Sequence, residues 1–345
     1  MNNRRALISL QFYFYAFLLS FFPSFTTAQD SSFFKSIAGS AHPANTTYSA
    51  PLVSDNYFTQ PLAVNKKKVR LVTAANIVGY GGTMVALYST WYKNYPKSGF
   101  HFFDDNREWK QVDKAGHGYS AYIESYGSME MWKWTGISRR KSAVIGSLSA
   151  LGYQSIIETL DGFSSQWGWS WGDMSANVFG SGLLLGQELL WNDQRVKFKF
   201  SFHPKNYGAS DLSARADAVY GSSWSERMIK DYNGQTYWLS ANIKSFLPKS
   251  KLPEWLSVAV GYGADGMFGA ESNLGKDDFG NVIFDRRDIG RYRQFYISPD
   301  IDLTKIKTKN KLLKLTLGAL NALKFPAPSL EYNSKGKIVF HFLHF

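Results

Sequence analysis

The spacing of the apolar residues changes once along this chain, near Asn192. Before that residue, apolar and aromatic side chains recur at helical spacing in segments joined by short connections. After it, residues 195–202 read Arg-Val-Lys-Phe-Lys-Phe-Ser-Phe, and this strict alternation predicts a strand. The change in period predicts an α+β fold, in which a four-helix unit is followed by a β-rich C-terminal unit with an amphipathic helix.

The four-helix unit is expected over residues 66–192. Its helices are predicted at residues 70–92, 112–134, 142–160 and 172–191, and their short connections favour antiparallel packing. The first helix has the length of a membrane span, but its glycines and threonines make it weakly hydrophobic and favour close helix–helix packing instead. The other three helices have no unbroken apolar run of the length that a membrane span requires.

The β-rich unit is expected over residues 193–345. Within it, residues 311–324 place Leu313, Leu317 and Leu320 on one helical face and lysines elsewhere, which indicates an amphipathic helix suited to a membrane interface. Apart from the strand at 195–202, strands are predicted near residues 236–246, 255–263, 291–303 and 337–345.

The N-terminal segment has the three parts of a signal peptide: a basic head, an apolar run over residues 6–22 and small residues before Gln29. A membrane anchor is the alternative interpretation, because the apolar run is nearly long enough to span a bilayer. The helix-breaking Pro23 and the small residues favour cleavage. We therefore expect residues 1–28 to be removed, residues 29–65 to form an extended lead-in, and the mature protein to lie in the periplasm or at the outer membrane of a bacterial-type envelope.

Composition limits the partners that such an exported chain can have. The formal net charge is +12, and loss of the two arginines in the signal peptide leaves about +10. A basic, aromatic-rich surface indicates contact with membrane lipid or another anionic envelope surface, although the lysines could also serve solubility alone. Export argues against nucleic acid, and the protein partner is left unknown. The absence of cysteine excludes disulfides, thiolate zinc sites and lipid attachment through a lipobox cysteine.

Three of the predicted helices carry polar residues at i, i+4 and i+7 spacing, which places them on one helical face. The stripes are Asp113, His117, Ser120 and Glu124 on the second helix, Gln154, Glu158 and Asp161 on the third, and Asp173, Asn177 and Gly180 on the fourth. If the stripes face inward, a histidine and several carboxylates share one polar pocket, where burial and mutual repulsion move their pKa values toward neutrality.

Such a pocket could perform general acid–base chemistry or coordinate a divalent metal; the identity of any metal or cofactor is left unknown. In an enzyme, His117 would be the general base or a metal ligand, Glu158 the acid or a second ligand, and Asp113 would orient the imidazole. The candidates for holding substrate or water are Lys114, Asp161, Ser170, Asp173 and Asn177.

A structural interpretation of the same residues stays open. Polar stripes on amphipathic helices usually face water, and Ser170 and Asp173 have the S-x-x-D spacing of a helix cap. The chain has no G-x-S-x-G or H-E-x-x-H motif. The sequence therefore leaves enzymatic activity uncertain. It favours an envelope protein that binds or organises membrane lipid or an envelope partner, with a membrane-surface hydrolase or transferase acting on a lipid, lipopolysaccharide or glycan headgroup as the alternative.

One ordered set of residues runs through the three stripes: Asp113-Lys114-x-x-His117, Glu158, Asp161-Gly162-Phe163-Ser164, Trp167-Gly168-x-Ser170-x-x-Asp173 and Ala176-Asn177-x-x-Gly180. This order, over about residues 105–192, resembles the YfiM-like family of predicted periplasmic lipoproteins of unknown function. It is similar, more distantly, to the VanZ-like membrane proteins. The resemblance implies an envelope location and implies no reaction.

Overall fold

Helices make up most of the first half of the described chain, and an antiparallel sheet dominates the second half, which confirms the predicted α+β class. The predicted signal peptide at residues 1–28 lies outside the described residues, as does the predicted lead-in up to residue 62. The computed structural model describes residues 63–90, 92, 96–165, 167–208, 210–277 and 279–344.

The four predicted helices are present, with ends that differ from the prediction by at most four residues. They are α1 (Lys66–Thr90), α2 (Val112–Trp134), α3 (Arg139–Asp161) and α4 (Trp171–Trp191). A turn, Glu108–Gln111, leads directly into α2. Within the described part of the chain, every helix falls short of a membrane span in length or in hydropathy.

Glycines allow α2 to approach both of its neighbours closely. A Cβ atom at Gly180 of α4 would lie 2.0 Å from the carbonyl oxygen of Gly118 in α2. A Cβ atom at Gly146 of α3 would lie 2.6 Å from the carbonyl oxygen of Ser125 in α2. Close backbone approach of this kind requires residues without a side chain, and it brings the polar stripes of the three helices together.

Six strands form one antiparallel sheet in the order β1-β2-β3-β6-β7-β8. These strands are β1 (Val196–Phe202), β2 (Gln235–Asn242), β3 (Leu256–Asp265), β6 (Tyr292–Ile301), β7 (Ala327–Asn333) and β8 (Ile338–His344). A separate hairpin contains β4 (Leu274–Lys276) and β5 (Val282–Asp285). The strand β7 and this hairpin are additional to the predicted strands.

The second half also contains more helix than the sequence predicts. The predicted strand at 236–246 is too long: β2 ends at Asn242, whose side chain accepts a hydrogen bond from the Ser245 amide at 2.9 Å and so begins a helix. The predicted amphipathic helix is present but ends at Leu320. The helices of this half are α5 (Ser210–Tyr220), α6 (Trp224–Lys230), α7 (Ile243–Phe246) and α8 (Lys311–Leu320), with a 3-10 turn at Leu303–Lys305.

A single aromatic core joins α2 to the sheet. Tyr119 packs against Phe198 and Phe200 of β1 and against Tyr237 of β2, with ring centroids 5.8 Å apart in all three pairs. These residues belong to one buried cluster. Because α2 packs on the first two strands, it covers the part of the sheet's apolar face that β1 and β2 form. The predicted division into two domains near residue 193 remains a prediction.

The two faces of the sheet differ in polarity. On one face, paired residues form a continuous line across all six strands, which we call the apolar row: Phe198, Leu239, Val260, Ile297, Leu330 and Phe340. On the opposite face, buried Lys199 lies 2.7 Å from buried Asp300, and Glu331 lies 2.8 Å from His341. The polar face is therefore enclosed, whereas the apolar row from β3 to β8 is exposed.

Candidate functional site

The three polar stripes face one another, and their centre is His117 on α2. The Nδ1 atom of His117 lies 3.6 Å from Oε1 of Glu158 on α3, and its Nε2 atom lies 3.7 Å from Oδ1 of Asp173 on α4. The His117 side chain is 28% exposed, whereas that of Glu158 is 1% exposed. Both separations are longer than a hydrogen bond, so the imidazole lies between two carboxylates and is hydrogen-bonded to neither.

Lys114, one turn before His117, carries the positive charge of the cluster. Its ammonium group lies 2.6 Å from Asp105, 3.0 Å from Asp113 and 2.8 Å from Asp173. Burial alone would lower the pKa of Lys114, but these carboxylates raise it above its ordinary value, so the lysine stays charged. Asp113, which the sequence proposes as the group that orients the imidazole, is thus bound to Lys114, and the carboxylates beside the ring are Glu158 and Asp173.

Asp105 is a member of this cluster that the sequence analysis did not identify. The Ser170 hydroxyl donates to Asp105 Oδ1 at 2.6 Å and accepts from the Asp173 amide at 3.1 Å. Ser170 therefore caps α4, as the structural interpretation of its spacing expects, and also fixes Asp105. Asp105 lies in a loop beside Asp104, without a helical period, so no sequence pattern marked it.

A left-handed turn at residues 109–111 directly precedes α2, the helix that carries Lys114 and His117. Three consecutive non-glycine residues there have φ values of 45°, 52° and 64°, a conformation that costs about 1–2 kcal/mol for each residue. The sheet holds this turn, because Tyr262 donates to the carbonyl oxygen of Lys110 and Arg293 donates to the Gln111 side chain at 2.5 Å. The β-rich half thus positions the start of α2 and, with it, the polar cluster.

Burial shifts the proton affinities of the carboxyl groups around His117. Burial raises the pKa of Glu158 to about 8 and that of Asp161 to about 6. Tyr92 donates a hydrogen bond to Asp161 at 2.7 Å. Burial alone would lower the pKa of His117, but the carboxylates of Asp173 and Glu158 outweigh it and raise that pKa. The cluster therefore holds protons in the neutral range, where acid–base groups operate.

Buried polar atoms of Asn177, Glu158 and Asp113 lack hydrogen-bond partners among the described residues, whereas Asp173 Oδ1 has its ion pair with Lys114. Asn177 is 0% exposed, and neither its amide nitrogen nor its amide oxygen has a partner there. The Oε1 atom of Glu158 also has none. Asn177 follows Asp173 by one helical turn on the same face of α4. An unpaired buried polar group costs about 1–3 kcal/mol, so these groups point to a water or ligand between the helices.

Aromatic rings from residues 100–102 and from residues 163–171, between α3 and the start of α4, pack on one another. We call them the aromatic rim: Phe100, Phe102, Phe163, Trp169 and Trp171. Phe102 is 61% exposed and Trp171 is 66% exposed. The rim residues neighbour Asp105, Asp161 and Ser170 in sequence, so the polar cluster and the exposed rings belong to one region.

The structure thus brings most of the predicted site residues together and leaves their chemical roles as predictions. His117, Glu158, Asp113, Lys114 and Asp173 form one cluster. Three further candidates border it: Asp161 through its bond to Tyr92, Ser170 as the cap of α4, and Asn177 as a buried amide. Deeper along the same stripes, Gln154 donates to Glu124 at 2.7 Å and forms a separate buried pair.

Residues 99–186 match the model of a protein family described as predicted periplasmic lipoprotein (DUF2279). The matched range runs from the aromatic rim to α4 and contains the whole His117, Glu158 and Asp173 arrangement. No curated protein and no solved structure gives a significant match. The match confirms the resemblance to predicted periplasmic lipoproteins and fits an exported protein of the cell envelope; the more distant similarity to VanZ-like proteins is not supported by it.

Proposed function

We propose that this exported envelope protein binds membrane lipid, and that the apolar face of its sheet makes the contact. The observation that carries this proposal is the inverted polarity of the sheet beyond β2. Ile297 is 51% exposed and Phe340 is 65% exposed, with Val260 and Leu330 of the apolar row beside them. On the other face, Lys199 and Asp300 are fully enclosed.

In water, a sheet with one solvated face normally buries its apolar side chains and exposes its polar ones. The reverse arrangement is typical of sheets whose outer face contacts hydrocarbon. Contiguous exposed apolar surface of this kind marks an interaction site. Transfer of each large side chain of the apolar row from water to hydrocarbon is favourable by about 1–2 kcal/mol. Several such side chains together supply a useful free energy of binding.

The helix α8 supports the same partner. None of its residues is fully buried, and Leu312, Leu313 and Leu320 are exposed. Its lysines, Lys311 and Lys314, are exposed as well. A helix with exposed leucines and exposed lysines suits a membrane interface, where the lysines meet anionic headgroups and the leucines meet acyl chains.

Vesicle flotation tests the lipid contact, with Ile297→Asp as the variant. We expect the purified protein to float with vesicles of phosphatidylethanolamine and phosphatidylglycerol and to stay bound in 1 M salt, because apolar contact is not screened. Ile297→Asp should reduce the floated fraction about fivefold or more, since a carboxylate against hydrocarbon costs more than about 1 kcal/mol. Leu148→Asp is the matched control, because Leu148 is an exposed leucine on α3, away from the sheet.

Three results would contradict the lipid proposal. The protein could fail to float, or Ile297→Asp could float as well as Leu148→Asp. A third is a stable dimer without vesicles that Ile297→Asp converts to monomers, which would make the apolar row an interface between two copies of the chain. Analytical ultracentrifugation of the three proteins distinguishes this last case.

The polar cluster favours a second candidate function, an enzyme that acts on a lipid, lipopolysaccharide or glycan headgroup. The supporting observation is that His117 stands between Glu158 and Asp173 beside the exposed aromatic rim, where an amphiphile could place its headgroup near the imidazole. Proton transfer alone contributes about 10²–10⁴-fold to a rate, so this reaction would also need a device that stabilises charge in the transition state.

Two conservative variants test the enzyme in the native host. If the cluster is catalytic, His117→Gln and Glu158→Gln should each reproduce the lipid and lipopolysaccharide profile of a full deletion, measured by mass spectrometry at equal protein level. Glu130→Gln serves as the control, because Glu130 is a partly exposed residue of α2 that pairs with Lys133. If both site variants keep the normal profile while the deletion changes it, the cluster is not catalytic.

A further inference from the structure

We propose that His117, Glu158 and Asp173 bind one divalent transition-metal cation, such as Zn²⁺ or Mn²⁺. One ligand atom from each residue lies within 4.8 Å of the other two. Two ligands of a tetrahedral ion stand about 3.3 Å apart when each metal–ligand distance is near 2.0–2.1 Å. The 3.6 Å and 3.7 Å separations at His117 involve different ring nitrogens, Nδ1 and Nε2, so the imidazole must rotate to turn one nitrogen toward both carboxylates when it binds one ion. This inference does not depend on the lipid proposal.

The charges of the cluster favour a cation at this place. Lys114 forms ion pairs with Asp105, Asp113 and Asp173. Its ammonium group therefore already neutralises negative charge on that side of the cluster. These three carboxylates also lie close enough together to hold an ion, but Lys114 occupies the space between them, and we do not propose a second site there. On the other side, the nearest cationic group to Glu158 is the imidazole of His117. Buried carboxylates are normally paired or bound to metal, so a cation beside Glu158 completes the cluster.

The unpaired buried atoms supply an independent reason. Glu158 is 1% exposed, and its Oε1 atom, which faces His117, has no hydrogen-bond partner among the described residues. Asn177 is 0% exposed with both amide atoms unpartnered in the same part of the chain. Its position one turn beyond Asp173 suits a fourth ligand or a hydrogen bond to a water on the ion.

The donor set defines the class of cation. Carboxylates suit hard ions such as Mn²⁺ and imidazole suits borderline ions such as Zn²⁺, whereas soft ions prefer thiolates, which this chain cannot offer because it has no cysteine. Three protein ligands are the number found at catalytic zinc sites, where the fourth position holds water or a substrate oxygen. The cation would therefore keep an open position, to which a phosphate or hydroxyl oxygen could bind.

Metal binding by the purified full chain tests this site. After dialysis against a chelator, the protein is titrated with ZnCl₂ or MnCl₂ alone by isothermal calorimetry, and bound metal is counted by mass spectrometry. We expect about one ion per chain. His117→Gln and Glu158→Gln should each weaken binding about tenfold or more, since even an outer-shell partner is worth that factor. Glu124→Gln is the matched control, because Glu124 is another buried carboxyl group on α2, bonded to Gln154.

Substitution with Co²⁺ tests the site in the wild-type protein, so this result does not depend on whether the variants fold. In the wild-type protein, one equivalent of Co²⁺ should give visible absorption bands of a tetrahedral or five-coordinate ion, and Zn²⁺ should remove them. Substoichiometric binding of all three metals by the wild type overturns the proposal. Unchanged affinity in both site variants also overturns it, because the ion would then lie elsewhere. Metal binding is measured without lipid, so failure here is separate from failure of the lipid proposal.

Discussion

Asp300→Asn is expected to lower the free energy of unfolding by about 3–5 kcal/mol, because it removes one partner of a buried charge cluster. The Asp300 carboxylate lies 2.7 Å from the ammonium of Lys199 and 3.6 Å from that of Lys324, and it accepts from the Ser240 hydroxyl at 2.6 Å. All of these groups are buried. The amide has the same shape but no charge, so two lysines remain enclosed without a counterion. Urea denaturation followed by tryptophan fluorescence measures the loss.

The pH dependence of Asp300→Asn provides a second check. Burial lowers the pKa of Lys324 to about 8 in the native protein, below the ordinary lysine value. A lysine with a lowered pKa in the folded state binds fewer protons there than in the unfolded state, so its unfavourable contribution disappears as the pH rises. Without Asp300, the native pKa of Lys324 falls further, so the deficit of Asp300→Asn should shrink as the pH rises toward about 8, above which Lys324 is deprotonated in both native proteins. A deficit that grows over this range would contradict the explanation.

Glu254→Gln is the matched control for this substitution. It also replaces a carboxylate by an amide, but in an ion pair with Lys307 whose side chains are 49% and 83% exposed. Exposed pairs contribute less than about 1 kcal/mol, so we expect little change in the free energy of unfolding. Equal losses in Glu254→Gln and Asp300→Asn would show that the enclosed charges of the sheet have no special weight.

Gly180→Ala should lower the free energy of unfolding by about 3 kcal/mol or more, because the added methyl group has no space. Its Cβ atom would lie 2.0 Å from the carbonyl oxygen of Gly118 and 3.0 Å from the amide nitrogen of Tyr122. Both atoms belong to the backbone of α2, which cannot rotate away as a side chain can. The helices α2 and α4 must therefore separate, and Asp173 moves away from His117. Thermal and urea unfolding measure the stability, and the Zn²⁺ titration reports the displacement.

Gly182→Ala is the matched control, because Gly182 lies in the same helix and a Cβ atom there has nothing within 4 Å. Alanine favours helix over glycine by about 1 kcal/mol, so this variant should be as stable as the wild type or more stable. The explanation for Gly180 would be wrong if the two substitutions changed the free energy of unfolding by the same amount.

Local spacing accounts for the parts of this protein that the sequence predicts well. Residues three or four positions apart share one face of a helix, so the stripes that contain His117, Glu158 and Asp173 follow from spacing alone. Alternation likewise predicts β1 and places Lys199 opposite Phe198 and Phe200. The β4–β5 hairpin is too short to show a period and escapes this reasoning, whereas β7 does alternate and was missed.

Spacing does not determine what a face packs against. Polar stripes usually face water, and here they face one another because glycines such as Gly180 bring the helix backbones into contact. Asp105 joins the stripes only because the left-handed turn at residues 109–111 directs the chain into α2. Tyr262 and Arg293 hold that turn from β3 and β6, which lie far along the chain.

The sequence by itself determined which residues share a face of each helix and strand, because those relations depend on neighbours in the chain. Only the tertiary structure decided which face is enclosed. A lysine on a strand is expected to face water, yet Lys199 is fully buried because Asp300, on a different strand, neutralises it. This pair lies on the polar side of the sheet, which is enclosed, whereas Ile297 and Phe340 on the other side are exposed. Charges so distant in sequence meet only when the sheet has formed.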